Sequence, residues 1–405
     1  MIIGLIRENK NPPDRRVALT PLQCSKVQKL FPNLKIIVQC SLHRVFSDDE
    51  YRKYDISVGE NMADCDILLG IKEVPCEYLI DAKTYLFFSH TIKKQDYNRD
   101  MLVEILNKKI KLIDYECLQN EKGSRILGFG KYAGIVGTFE ILRAFGKKYK
   151  IFELKSPSTF KNYEDLKSSI IKYTSLIKKQ NKKIVLAGSG RVISGSEELL
   201  QFIEIKKTNP YDFLNKTFDE TVYTLLDIED LYERIDKLET THQHFYKNHD
   251  MYLSKFKPYT AKADILINGV FWDKNIVRHF EKEDTMKDDF KIKLIADISC
   301  DIEGSVPLTI RETTIENPVM GWDGKMQKEC EPYTEKSIDI MAISNLPTEL
   351  PADSSFGFGE DLIQYVLPEL LKEKSKIIDN ATICENGKLT DKFNYLQDFV
   401  SKRDE

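Results

Sequence analysis

Short apolar runs separated by longer amphipathic stretches recur along the whole chain, and this rhythm restricts the folds open to it. The runs occupy residues 2–6, 35–38, 67–71, 85–88 and 111–113, then 184–187, 265–267 and 292–298. Strand–helix alternation of this kind predicts α/β architecture with parallel sheets. A helix is expected over 136–144. Another is expected over 163–180, "YEDLKSSIIKYTSLIKKQ", where apolar residues return at helical spacing. With 405 residues the chain exceeds one ordinary core, so two domains are expected. A second sheet begins at "KKIVLAGSGRVISGSEELL", an Asp-, Tyr- and Lys-rich insertion covers 207–262, and helices and a strand follow Asp339. That last stretch either forms a small third unit or returns to the first domain.

Composition removes several classes. Hydrophobic residues at 41% and charged residues at 31% describe a globular chain rather than a disordered one. The net charge of −4 provides no basic field, so no nucleic-acid partner is expected. His and Cys show no zinc-ligand spacing, so no metal is expected. His242, His244 and His249 share no helix or strand face, which favours a solvated segment over a metal site. Unclustered cysteines fit reduced thiols and a cytoplasmic location. The apolar start lacks a basic flank and is too short for a signal peptide. No run approaches the roughly 20 residues of a membrane span, so no membrane partner is expected.

Residues 184–195 read IVLAGSGRVISG. An apolar strand runs into Gly188-x-Gly190, and a helix is expected over 194–200. A tight turn, close backbone approach and a helix N-terminus are what a dinucleotide pyrophosphate requires. Gly188, Ser189, Gly190, Arg191 and Val192 are the candidates, against the alternative of a plain structural turn. The usual third glycine position holds Ile193, with Gly195 two residues later. No clear acidic residue for a ribose hydroxyl is visible after the next strand; that region offers Lys206 and Lys207, which either face a 2′-phosphate or are solvated. NAD and NADP both stay open. Asn268, closing "DILINGVFW", is placed at the carboxyl end of a later strand of this sheet.

Three consecutive candidate strands end in ionisable groups. "DILLGIKE" ends in Lys72 and Glu73, "TYLFFSH" in His90, and "KIKLIDYE" in Asp114 and Glu116. Ligands bind at such ends in open parallel sheets, although polar residues follow many strands for no functional reason. A lysine beside carboxylates and a histidine permits separated pKa values, the requirement for acid–base work. Arg15 and Arg16 in "NPPDRRVALTP" and Arg125 in "GSRILGFGKYAG" offer guanidinium forks for carboxylates.

These stretches, with "RENKNPPDRRVALTP", "GIKEVP" and "SHT", resemble the alanine dehydrogenase, transhydrogenase and lysine-forming saccharopine dehydrogenase superfamily. "DILINGVFW", "ADISCDIEGSVPLTIRETTIENP", "SNLPTELPADSSFGFGEDLIQYVLPELL" and "GKLTDKFNYLQ" are similar to the lysine–ketoglutarate reductase half of the bifunctional aminoadipate semialdehyde synthase. The likeness covers nearly the whole chain and is weakest over 150–183 and 207–250. It implies two Rossmann-like domains with an active-site cleft between them. A discontinuous catalytic domain would use 1–136 plus about 330–405, and a dinucleotide-binding domain 137–329.

The resemblance further implies an NAD- or NADP-dependent oxidoreductase that joins lysine to 2-oxoglutarate as saccharopine, or reverses that reaction. Lys72 and His90 match the catalytic pair, Glu73 and Glu116 their acidic neighbours, and Arg16 and Arg125 the carboxylate-binding arginines. Asp297 or Asp301 falls near the nicotinamide. A saccharopine-oxidising partner would be a separate chain. The rival readings are an alanine dehydrogenase-like oxidative deaminase, which needs no second carboxylate clamp, and a nucleotide-binding regulator without catalysis.

Overall fold

The computed structural model describes residues 1–11 and 13–401. The chain divides into two compact units, Met1–Phe129 with Pro351–Glu405, and Gly130–Leu350. Both divisions differ from the positions expected near 136 and 330. The first falls earlier because Gly130–Tyr149 is one continuous helix, packed against second-unit elements. The second falls later because the strand at 337–341 pairs inside the second unit's sheet.

The first unit opens with β1 (Ile2–Leu5), β2 (Lys35–Gln39), β3 (Ser57–Gly59), β4 (Ile67–Leu69), β5 (Thr84–Phe87) and β6 (Lys111–Asp114). They lie in the order β3-β2-β1-β4-β5-β6, all parallel. The order reverses between β1 and β4, and at such a switch point the loops diverge and leave a crevice at the strands' carboxyl ends. Lys72 and Glu73 leave β4 at that point. The sequence pattern behind it is simple: β4 to β6 are apolar and buried up to the residue where charge begins.

The second unit holds β7 (Lys183–Ala187), β8 (Lys206–Lys207), β9 (Val222–Leu226), β10 (Tyr232–Arg234), β11 (Tyr252–Ser254), β12 (Ile265–Asn268), β13 (Leu294–Asp297), β14 (Met320–Asp323), β15 (Lys328–Cys330) and β16 (Ser337–Met341). Its main sheet runs β8-β9-β7-β12-β13-β16-β14-β15, parallel from β8 to β16, with β10 and β11 forming a separate hairpin. Here the order reverses between β7 and β12, the strands that carry Gly188 and Asn268 at their ends. The helix expected over 163–180 is broken into Tyr163–Ile170, a 3₁₀ turn at Ile171–Tyr173, and Thr174–Lys178. β-Branched and aromatic residues, which lose rotamer freedom in a helix, crowd the break.

The returning segment adds β17 (Thr382–Glu385) and β18 (Lys388–Leu389) to the first sheet, with β17 antiparallel to β6. It also supplies Phe358 to an aromatic cluster with Phe88, Tyr115 and Phe129, whose ring centroids lie 4.9–6.1 Å apart. No third unit forms. Among the described residues no helix is long and apolar enough to cross a membrane.

Candidate active site

In the first unit the ends of β4 and β5 bring Lys72, Glu73 and His90 together. Glu73 is buried at 8% exposure. Its Oε1 lies 2.7 Å from His90 Nδ1, and its Oε2 accepts a 2.9 Å bond from the Lys10 ammonium. Burial alone would raise the Glu73 carboxyl, but the hydrogen bonds from His90 and Lys10 outweigh it and hold the pKa down at about 2. A carboxylate that acidic only accepts, so Nδ1 carries the proton and the other ring nitrogen, Nε2, has no hydrogen-bond partner among the described residues. His90 is held in the left-handed region at φ 53°, a strained position for a non-glycine residue and one found where a side chain must be aimed.

Lys72 is half-buried, and its amine makes no hydrogen bond or ion pair with the described residues. Burial, and then the Arg16 charge, push its pKa below the usual lysine value, against the opposing pull of Glu73 and Asp14. A lysine lowered in this way exchanges protons more readily near neutral pH. The group therefore offers one amine of lowered pKa and one imidazole nitrogen, both unengaged among the described residues. Lys10 was not foreseen as part of it, because its role depends on a loop returning across the sheet.

Asp114, the buried end of β6, accepts bonds from the Ser89 amide at 3.1 Å, the Ser89 hydroxyl, and the Glu116 amide at 2.6 Å. Burial pushes its pKa up to about 6 in spite of these donors. It therefore ties the His90 turn to the Glu116 turn. Glu116 accepts a 2.7 Å bond from Arg125, while its second oxygen is buried with no hydrogen-bond partner. Arg125 is 44% exposed and reaches a cavity of about 430 Å³ with Asn120, Gln364 and Tyr365 on its wall. Arg16 differs from the expectation of an open fork. It is buried at 4% exposure and closed on Asp14 by Nε–Oδ1 at 2.9 Å and Nη2–Oδ2 at 2.5 Å, with its guanidinium 4.1 Å from the Phe129 ring.

In the second unit Gly188 turns the chain after β7 with φ 113°, a conformation that L side chains rarely adopt. Gly190 caps the helix Arg191–Phe202, and a Cβ there would meet nothing within 4 Å. The loop is thus open at the helix N-terminus, where the first amides have no intrahelical acceptor. Arg191 begins that helix on the surface, and the Val192 carbonyl faces the helix Gly130–Tyr149. A Cβ at Gly134 would come 1.8 Å from that carbonyl, and one at Gly195 would come 1.9 Å from the Lys131 carbonyl. Gly195, the displaced third glycine, therefore serves close helix–helix packing.

An acidic residue does stand beside the glycine loop: Asp227, directly after β9. β9 pairs with β7 over its whole length, whereas the two-residue β8, with Lys206 and Lys207, is the sheet edge. Asp227 Oδ1 accepts from the Ser189 hydroxyl at 2.6 Å and from the Ile228 amide at 2.7 Å, and Oδ2 lies 3.3 Å from His242 Nε2. Gly188, Gly190, Asp227, His242, Tyr246 and Phe271 line a cavity of about 390 Å³. The nineteen-residue interval between that helix and β9, which includes a short helix at Pro210–Asn215, moved the acid beyond its usual distance from the glycines. His242 is accordingly a wall of this cavity as well as a solvated residue, and His244 meets Tyr252 at 2.9 Å.

Asn268 and Asp297 are fully buried and bond to each other at 2.8 Å. Asn268 also donates to Ser299 and Ser305 and faces His279 Nε2 at 3.0 Å, while Asp297 accepts from Thr309 at 2.5 Å. Burial raises Asp297 and pushes His279 down to about 3, so His279 is neutral and donates through Nε2. The pair braces the ends of β12 and β13 and presents no free polar atom. Asp301 lies beyond, in a turn whose carbonyl accepts the Gly304 amide at 2.9 Å.

Both units are thus doubly wound α/β sheets, one ending in a Lys/Glu/His group and the other in a glycine loop with an acid beside it. Residues 4–136 match the family model for the alanine dehydrogenase/PNT N-terminal domain. The chain is similar along its length to alpha-aminoadipic semialdehyde synthase and to saccharopine dehydrogenase. It is 29% identical to the Mus musculus mitochondrial synthase over 452 aligned residues, covering 100% of this chain and 48% of that protein. It thus spans about half the length of such relatives. It is 24% identical to the Schizosaccharomyces pombe saccharopine dehydrogenase [NAD(+), L-lysine-forming], covering 95% of each. Among solved structures an L-alanine dehydrogenase superposes with TM-score 0.63 at 13% identity, covering 99% of this chain and 100% of the other. A transhydrogenase from Sinorhizobium meliloti gives 0.58 at 11%, covering 96% and 100%.

Proposed function

We propose that the chain is a nicotinamide-dependent saccharopine dehydrogenase of the lysine-forming type, which joins lysine and 2-oxoglutarate through a reduced imine or runs the reverse reaction. The observation that carries this reading is the Lys72–Glu73–His90 group, in which one carboxylate at about pKa 2 holds the imidazole tautomer beside a lysine of lowered pKa. When bound, the nicotinamide supplies or takes the hydride. In the condensing direction, lysine's amine adds to the keto carbon, and His90 Nε2 takes the proton that the adding amine gives up and returns it to the carbinolamine hydroxyl, which leaves as water to give the imine. Lys72 then holds or gives the proton of the secondary amine. A lysine of lowered pKa and an imidazole held in one tautomer divide these transfers.

Arg125 serves one substrate carboxylate in this reading. Arg16 serves another only by exchanging its Asp14 partner, so Asp14 acts as a stand-in carboxylate. Gly188, Ser189, Gly190, Arg191 and Val192 take the dinucleotide, with Asp301 nearby and with Asn268 and Asp297 bracing the strand ends. Asp227 favours NAD over NADP, because its Oδ2, met only by the exposed His242 at 3.3 Å, accepts from a ribose 2′-hydroxyl and repels a 2′-phosphate. The scattered, unpaired cysteines support a reducing, cytoplasmic setting.

A substrate matrix tests the reading. Purified chain receives NADH or NADPH, 2-oxoglutarate or pyruvate, and lysine or ammonia, while nicotinamide absorbance is followed. Oxidation of NADH that requires both lysine and 2-oxoglutarate is the expected result. Turnover with pyruvate and ammonia alone would replace it with the oxidative deaminase.

A further inference from the structure

The bond between β1 and β4 does not stop where their backbone pairing stops. The Ile6 amide donates to the Leu69 carbonyl at 3.0 Å, the last backbone bond of that ladder. Beyond it the Glu8 carboxylate takes over. Its Oε1 accepts the Ile71 amide at 2.7 Å and its Oε2 accepts the Lys72 amide at 2.9 Å. On the opposite side β5 holds the same turn, through Gly70 N to Leu86 O at 3.0 Å and Phe88 N to Ile71 O at 3.0 Å. Two residues after Glu8, Lys10 reaches the Glu73 side chain at 2.9 Å. One short loop therefore grips the backbone under Lys72 and the carboxylate that orients His90.

We infer that Glu8 is a positioning residue for the Lys72/His90 pair: its two carboxylate oxygens fix the turn from which Lys72 and Glu73 project. The inference rests on the acid–base reading above and deepens it. Two donors spread over two oxygens is the arrangement a carboxylate satisfies and an amide does not, since a glutamine would turn one NH₂ group against an N–H. Two oxygens that both face N–H donors are the geometry of the ionised group; burial and then the Asp14 charge oppose ionisation and push the Glu8 pKa up to about 8, while the two amide bonds and the Arg16 charge pull it back down. A half-buried acid kept next to another acid is offset by the two amide bonds it accepts. Glu8 makes no hydrogen bond to the Lys72 amine, so its effect on chemistry is through placement.

The test uses the full chain with Glu8→Ala, Glu8→Gln and the wild type. Misplacing a catalytic group by an ångström costs on the order of 10²-fold. For Glu8→Ala we expect kcat for lysine- and 2-oxoglutarate-dependent NADH oxidation to fall roughly 10- to 100-fold, with KM for 2-oxoglutarate and Kd for NADH unchanged. Glu8→Gln, retaining one acceptor, should fall between. A second readout needs no turnover: the rate at which an amine-acylating reagent labels Lys72, mapped by mass spectrometry, should change several-fold relative to exposed lysines in the same sample. If Glu8→Ala does not fold, the Glu8→Gln pair of readouts decides. Unchanged kcat and unchanged Lys72 labelling in a folded variant would overturn the inference. Absence of lysine-dependent turnover in the wild type would overturn the functional reading instead, and the labelling comparison would still decide the role of Glu8.

Discussion

Replacing Glu73 by glutamine should weaken the first unit locally and in a pH-dependent way. The carboxyl is held near 2 in the folded chain against an ordinary value of 4.5, a difference of about 2.5 units. At 8% exposure solvent screens it little. Each unit corresponds to about 1.36 kcal/mol, so the ionised form contributes about 3 kcal/mol at neutral pH. The sign follows from the depressed value. The stabilisation is complete above about pH 4.5 and disappears as pH falls through about 2, leaving about 1.4 kcal/mol at pH 3. Tryptophan fluorescence cannot report it, because Trp272 and Trp322 both belong to the second unit. Hydrogen exchange of peptides covering residues 67–90 does report it. Glu73→Gln should exchange roughly 300-fold faster than wild type at pH 7 and about tenfold faster at pH 3. A difference that is small at pH 7, or equal at both values, would refute the argument that His90 and Lys10 hold this carboxylate down.

Lys72→Met and His90→Gln should each lower turnover by roughly 10²–10⁴-fold while NADH binding, measured by fluorescence titration, stays as in wild type. Arg125→Ala should raise the apparent KM for 2-oxoglutarate or saccharopine roughly 10- to 100-fold, the loss of one charge-assisted pair of about 1.5–3 kcal/mol, in steady-state assays. Gly190→Val should abolish dinucleotide binding in calorimetry with the fold intact, because the position has open space and no backbone strain. Asp227→Ser should weaken NADH binding by roughly tenfold or more and strengthen NADPH binding, reversing the preference in paired titrations.

The strands were legible because parallel strands buried on both faces are written as unbroken apolar runs, as in β1, β4, β7 and β12. The ionisable groups at their ends were legible for the same reason: Lys72, His90 and Glu116 stand where the runs stop. Partnerships across the sheet were not. Nothing local marks Asp14 as the residue that fills the Arg16 fork, or Lys10 as the second donor to Glu73, since both depend on how a loop folds back. Asp227 was hidden by distance, because β8 follows β7 in sequence but β9 lies beside it in the sheet. The boundary at 350/351 was hidden because β16 looks like any other apolar run, and only its pairing with β13 assigns it to the second unit.

The interrupted first unit has a consequence for synthesis. A ribosome delivers Lys72, His90 and Glu116 early, but β6 then has an uncovered edge until β17 emerges, some 270 residues later. Phe88, Tyr115 and Phe129 wait some 230 to 270 residues for Phe358. The intervening unit has its own sheet and core and can mature during the delay. A nascent chain stalled before Pro351 would thus carry every proposed proton-transfer group on a sheet with a sticky edge. Such a product would be a client for holding chaperones and a seed for aggregation rather than a slow enzyme.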